Sequence, residues 1–385
     1  MQNVSFGQTN KQTRNSSIEL LKIIGIILVV VSHVVQTLSD TETYMPYHDY
    51  IVDLRLATTN IQYLILSMLQ YSGSFGNTVF FVCSAWYLLD SDKTNKRKIL
   101  QMLLDIWVIS IIFLIIVYIL RDGDIELYTM INQIFPTLYE NNWYMTCYIL
   151  FYLVHSFLNM IIMKVDKPIL LKTVLVMLCL YFVINYLQNR YFYYNSALIV
   201  WVVIYFTIAY MKLYLVDISN NIKFNICIFI IGCVGNYGMV ILTNILGLHI
   251  SIFSSALLHW NSKGNPFILL MVVGLFNIAR NVHIESRVIN YVSRLSMLIY
   301  IIHENMLLRT YYRPMMWQYV YENMGYEYIL LWTFVIVLIV FLFGVVSSII
   351  YKYTIQKLVT RAGDVLYPKL CNLYDHIEKN ILKLH

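Results

Sequence analysis

The chain has 385 residues, 59% of them hydrophobic and only 12% charged, with a formal net charge of +6 and a mean hydropathy of +0.65. Soluble domains average about 45–50% apolar and about 25% charged residues, so this composition excludes a water-soluble fold of this size. Several apolar runs of about twenty residues indicate a polytopic membrane protein instead.

The lead, "MQNVSFGQTNKQTRNSS" (1–17), is polar and long, and no small-residue cleavage site follows the first apolar run. No cleavable signal is expected. Ten candidate transmembrane helices follow, at about 18–38, 73–90, 99–120, 143–163, 169–188, 196–215, 224–246, 265–281, 290–309 and 327–352. The stretch 57–72 reads as an interfacial or re-entrant helix. No barrel-like alternation occurs, and backbone in lipid must satisfy its own hydrogen bonds, so the expected class is all-α. The tail, 353–385, reads as an amphipathic helix lying on the anionic leaflet. One membrane domain, 18–352, is expected between lead and tail, with no internal repeat.

Six cysteines (Cys83, Cys147, Cys179, Cys227, Cys233, Cys371) are scattered singly, without the spacing of a disulfide framework or zinc site. With the N-terminus inside, only six of the 27 Lys and Arg fall outside: Arg55, Arg121, Arg190, Lys263, Arg309 and Arg313. The other 21, including "KTNKRK" at 93–98, fall inside, whereas the acidic residues divide almost evenly. This asymmetry predicts both termini in the cytoplasm. It also accounts for the net charge without a nucleic-acid partner. The outward loops, such as "NRYFYYN" and "TYYRPMMWQYVYENMGYEY", are rich in aromatic residues. Those residues read either as an interfacial belt or as platforms for sugar rings.

Polar groups inside spans are costly and therefore informative. Lys22 and His33 stand eleven residues apart in the first span, which places them on one helical face about 16 Å apart along the axis. A cation at the inner mouth with a titratable base deeper in suits a cytoplasmic anionic donor and a buried reaction. The plainer alternative is a snorkelling lysine and an interhelical hydrogen bond from His33. Ser296 and His303 share a face of the ninth candidate span, and Glu304 and Asn305 follow to make "HEN". These groups either pack helices or orient an acceptor. Ser84 offers a hydroxyl or simply packs. Asp105 is expected to pair with a lysine of 93–98, and His155 and Asn159 to make interhelical contacts. His48, His249, His259, His283, His376 and His385 fall in loops or the tail. No helix carries metal-ligand spacing, so no metal is expected.

The motifs also carry a resemblance. "RNSSIELLK" (14–22), then ten residues and His33; "GSFGNTVFFVCSAWYL" (73–88); and Ser293, Ser296, Ile299, Tyr300 and His303 occur in this order. The set is similar to the acyltransferase 3 family of integral-membrane acyltransferases, especially its polysaccharide O-acetyltransferase branch, over about residues 14–350. Lys22 stands where Arg is usual, replacing a bidentate grip with a point charge. Ala85 and Trp86 stand where a small Gly and another aromatic are expected.

The resemblance implies transfer of an acyl group, acetyl above all, from cytoplasmic acyl-CoA to a hydroxyl of a cell-surface or lipid-linked glycan. The donor is then a substrate, with no bound cofactor. His33 would be the general base and His303 a second catalytic group, while Lys22, Arg14, Ser84, Glu304 and Asn305 would bind substrates. The implied setting is the bacterial plasma membrane and its exopolysaccharide or capsule. A polysaccharide flippase or polymerase is the alternative. Transporters usually show two related halves with broken helices, whereas here the polar residues concentrate in the first, second and ninth candidate spans and no half-repeat is apparent. A polymerase would be expected to carry a long, Arg-rich outer loop, also missing here.

Overall fold

The computed structural model describes residues 15–39, 60–91, 93–139, 142–184, 196–247, 249–250 and 264–382. Those residues are helical and connecting segments, without a strand among them. In chain order the helices are α1 (Ser16–Ser39), α2 (Asn60–Gln70), α3 (Ser72–Leu88), α4 (Lys96–Leu120), α5 (Leu127–Ile134), α6 (Trp143–Lys164) and α7 (Lys167–Leu178). A π-helical turn, Cys179–Ile184, extends α7. Next come α8 (Ala197–Tyr214), α9 (Val216–Asn220), α10 (Ile222–Gly247), α11 (Pro266–Asn281), α12 (Arg287–Ser293) and α13 (Ser296–His303). A second π-helical turn, Leu308–Tyr312, leads to α14 (Arg313–Asn323), α15 (Ile329–Thr354) and α16 (Gln356–Leu382).

Seven helices among the described residues are long and apolar enough to cross a membrane: α1, α4, α6, α7 with its turn, α8, α10 and α15. Of the other three candidate spans, α3 and α11 have 17 and 16 residues. The third, 290–309, divides into α12, α13 and the start of a π-helical turn. The reading of 57–72 as a helix before the second span corresponds to α2.

The centre of the bundle is the crossing of α1 and α3. A Cβ added to Gly76 would lie 2.4 Å from the Gly25 carbonyl oxygen, so the two backbones touch where glycine alone fits. Near the turn between α2 and α3, the Ser32 hydroxyl of α1 donates to the Gln70 carbonyl at 2.5 Å, and Ser72 donates to Leu28 at 2.9 Å. The first bond satisfies a carbonyl that the end of α2 leaves open in an apolar setting, and the second ties the start of α3 to the middle of α1. Phe81, Phe151, Trp201 and Tyr205 pack as an aromatic column, with Phe81 stacked on Trp201 at 4.5 Å.

Helices α10 and α11 are joined by amide pairs, Asn277 to Asn225 at 2.9 Å and Asn265 to Asn236 at 2.8 Å. Asn265 also caps α11, accepting from Phe267 and Ile268 ahead of Pro266 in the first turn. Between α12 and α13, Ser293 donates its hydroxyl to the buried Glu19 of α1. After His303, Asn305 accepts from the Leu307 amide, and the wide turn brings the chain to Pro314 and α14. Trp317 of α14 then donates to the Val34 carbonyl at 3.0 Å.

Asp105 does not pair with a lysine of 93–98 as expected. Its carboxylate receives bonds from Gln101, Tyr351 and Gln356. The side chains that satisfy it come from α4 itself and from α15 and α16, while the basic run caps α4 through Asn95 and reaches the tail helix through Arg97 and Asp364.

Candidate active site

His33 lies in α1 and His303 ends α13. Their rings stack with centroids 5.7 Å apart and planes 22° apart. Glu304, the residue just past α13, brings its carboxylate between them. Its Oε2 lies 2.5 Å from His33 Nδ1 and 3.8 Å from His303 Nε2. The carboxylate therefore touches the His33 ring directly and stands further from His303.

Each imidazole can present Nε2 as its basic atom. The His303 Nδ1 lies 2.9 Å from the Ile299 carbonyl. A carbonyl only accepts, so Nδ1 carries the hydrogen and the neutral ring keeps its lone pair on Nε2. That Nε2 is buried without a hydrogen-bond partner. For His33, the adjacent carboxylate favours a proton on Nδ1 and likewise leaves Nε2 as acceptor.

Two arginines complete the cluster. Arg309 Nη1 lies 3.1 Å from Glu304 Oε1, and Arg313 Nη2 lies 3.5 Å from Oε2 while donating to the His303 carbonyl. The Glu304 and Arg313 side chains are 3% and 4% exposed. A bare carboxylate at this depth would be untenable, and the guanidiniums are its compensation. Ligand atoms of His33, His303 and Glu304 lie within 4.8 Å of one another, close enough to be tested as a cation site. The two guanidiniums already serve that carboxylate and oppose a further positive charge, so the cluster suits proton transfer better.

Of the residues singled out from the sequence, His33, His303 and Glu304 come together. Lys22 lies on the same helix as His33 and pairs with Glu19 at 3.5 Å, its ammonium 5.9 Å from the Tyr87 ring centroid. Asn305 binds its neighbours, donating to Gln133 of α5 at 3.1 Å. Ser84 turns onto its own helix and donates to the Phe80 carbonyl. Arg14 lies outside the described residues. Of the two residues expected to make interhelical contacts, Asn159 ties α6 to α3 and to Tyr205 of α8, whereas His155 bonds the Tyr152 carbonyl of its own helix.

The sequence reading missed Arg309 and Arg313, which it counted only as outward positive charges. Glu304 followed by arginines five and nine residues later was the available signal. A cavity of about 480 Å³ between α4 and α15 is walled almost wholly by apolar side chains. His303 and Arg313 are the cluster residues among those that line it.

A family model described as an acyltransferase domain, acyltransferase 3, matches residues 15–352. Neither the curated proteins nor the solved structures include a match to the chain.

Proposed function

The chain belongs to the acyltransferase 3 family of membrane acyltransferases, and we propose that it moves an acyl group from cytoplasmic acyl-CoA to a hydroxyl of a cell-surface or lipid-linked glycan. The observation that carries this reading is the His33–Glu304–His303 cluster, in which both basic Nε2 atoms remain available. Transfer from a thioester to an alcohol requires a group that accepts the hydroxyl proton near neutral pH, and a neutral imidazole does so.

In this mechanism the acceptor oxygen attacks the thioester carbonyl as His33 Nε2 takes its proton. The carbon–sulfur bond then breaks, and the proton passes to the departing thiolate. Glu304 stabilises the transient imidazolium across 2.5 Å. His303, stacked on His33, orients the acceptor or the intermediate. Lys22 offers a positive charge to the donor's phosphates at the other end of the same helical face. The positive-inside asymmetry supports entry of the donor at the Lys22 end and of the glycan at the opposite end.

The test compares surface glycan from cells producing the wild-type chain or His33→Ala, read by NMR. O-acyl resonances should vanish with His33→Ala while polymer yield and protein level hold, since losing a general base costs about 10²–10⁴ in rate. Transfer within twofold of wild type would remove His33 from catalysis. Loss of the whole polymer would favour the flippase or polymerase alternative.

A further inference from the structure

We propose that the hydroxyls of Tyr144 and Tyr300 receive the carbonyl oxygen of the acyl donor and hold the oxyanion that forms when the acceptor attacks. This rests on the transferase reading and names the groups that would share the reaction with the two imidazoles.

The tyrosines continue the line of rings that begins at the histidines. Tyr300 meets His303 edge-on at 5.6 Å, and Tyr144 of α6 lies 5.3 Å from Tyr300. Both side chains belong to nearly closed residues, 3% and 4% exposed, and neither hydroxyl has a hydrogen-bond partner. The Tyr300 hydroxyl also lies close to the Tyr144 backbone. A buried polar group left unpaired is destabilising, and phenylalanine has the same shape without that cost. A partner absent from the polypeptide accounts for the hydroxyls.

The space beside them sets the size of that partner. Tyr144 and Tyr300 line a pocket of about 10 Å³ together with Asn77 of α3 and Gly25 and Val29 of α1. A volume of that order holds about one water-sized group, or one carbonyl oxygen. Its position is equally specific. Val29 precedes His33 by one helical turn, about 6 Å, and Tyr300 precedes His303 by about 4.5 Å. The pocket therefore lies below the imidazoles on the side of Lys22, between the donor's expected mouth and the base.

During attack a new carbon–oxygen bond forms and the carbonyl electron pair moves onto oxygen, where two phenol hydrogens meet it. As the carbon–sulfur bond breaks, that pair restores the carbonyl. The tyrosines keep their protons throughout and act as fixed dipoles aimed at the developing charge.

The experiment uses membranes holding the full chain and follows labelled acetyl from acetyl-CoA into envelope glycan, alongside thermal unfolding of the purified variants. Tyr144→Phe and Tyr300→Phe should each lower kcat by about 10²–10³, the usual effect of losing an oxyanion donor. KM for acetyl-CoA should stay within about twofold, and Tm should hold or rise because an unpartnered hydroxyl has been removed. A kcat within twofold of wild type overturns the proposal and leaves the hydroxyls to a bound water. A kcat that falls only in step with Tm overturns it as well, as a packing effect. The His33→Ala arm reports separately on the transferase reading, so the two failures can be told apart.

Discussion

Replacing Glu304 by Gln keeps the size of the side chain and removes the charge that four neighbours converge on. Arg313 is 4% exposed and lies 3.5 Å away, so its guanidinium would be left buried without a counter-charge, a change that typically costs about 3–5 kcal/mol. The Arg309 side chain is 33% exposed at 3.1 Å. Water screens that pair, and its loss adds less than about 1 kcal/mol. The total expected loss is about 4 kcal/mol, reduced by whatever the amide oxygen still accepts. Unfolding in mixed micelles, followed by tryptophan fluorescence, would measure it.

The companion variant is Arg313→Met, alone and combined with Glu304→Gln. Because each single change strands the other group, the double variant should be more stable than the sum of the singles by about 2 kcal/mol. On the proposed mechanism, acyl transfer should fall about 10²–10⁴ in Glu304→Gln, since a His33 imidazolium would lose its adjacent carboxylate, and the double variant should not recover it. Additivity within about 0.5 kcal/mol would refute the buried pair. Normal activity in Glu304→Gln would refute the role of the carboxylate.

Lys22→Ala should raise KM for acetyl-CoA more than it lowers transfer at saturating donor, with Lys22→Arg close to wild type. Because Lys22 also balances the buried Glu19 at 3.5 Å, unfolding must be measured beside KM, and a loss confined to stability would leave Lys22 as a helix anchor. Gly76→Ala should destabilise the bundle by about 1–3 kcal/mol and lower activity, because the added methyl meets the Gly25 carbonyl at 2.4 Å and separates α1 from α3. Wild-type stability in that variant would mean that the crossing can open at no cost.

Length and apolarity made α1, α4, α6, α8, α10 and α15 legible, because a span must satisfy its backbone locally and cover itself with hydrocarbon. The same logic failed at 290–309. Hydropathy averages over the window and does not register that Ser293 bonds Glu19 at the far end of the chain, or that Asn305 folds back on the Leu307 amide. His33, His303 and Glu304 could be singled out as costly groups, but their convergence depends on packing between α1 and α13. Arg313 was hidden for a different reason. A π-helical turn returns it to a carboxylate nine residues earlier, whereas a count of charges by side records only its side of the membrane. Tyr144 disappeared among 33 tyrosines, most of which needed no explanation beyond an aromatic belt, while Tyr300 stood out only as part of the motif that ends at His303.

The break after His303 has a consequence for biosynthesis. His303, Glu304, Arg309 and Arg313 all lie in one short stretch late in the chain, while His33 lies in the first helix to leave the ribosome. Until that late stretch is inserted, α1 waits in the bilayer with an imidazole that has no carboxylate beside it. Since chains are made from the N-terminus, no truncated product that stops short of Glu304 contains the assembled pair. A nascent or prematurely terminated chain therefore lacks the assembled cluster. The cluster is complete only within about the last fifth of the chain, where Trp317 fastens α14 to the Val34 carbonyl of α1.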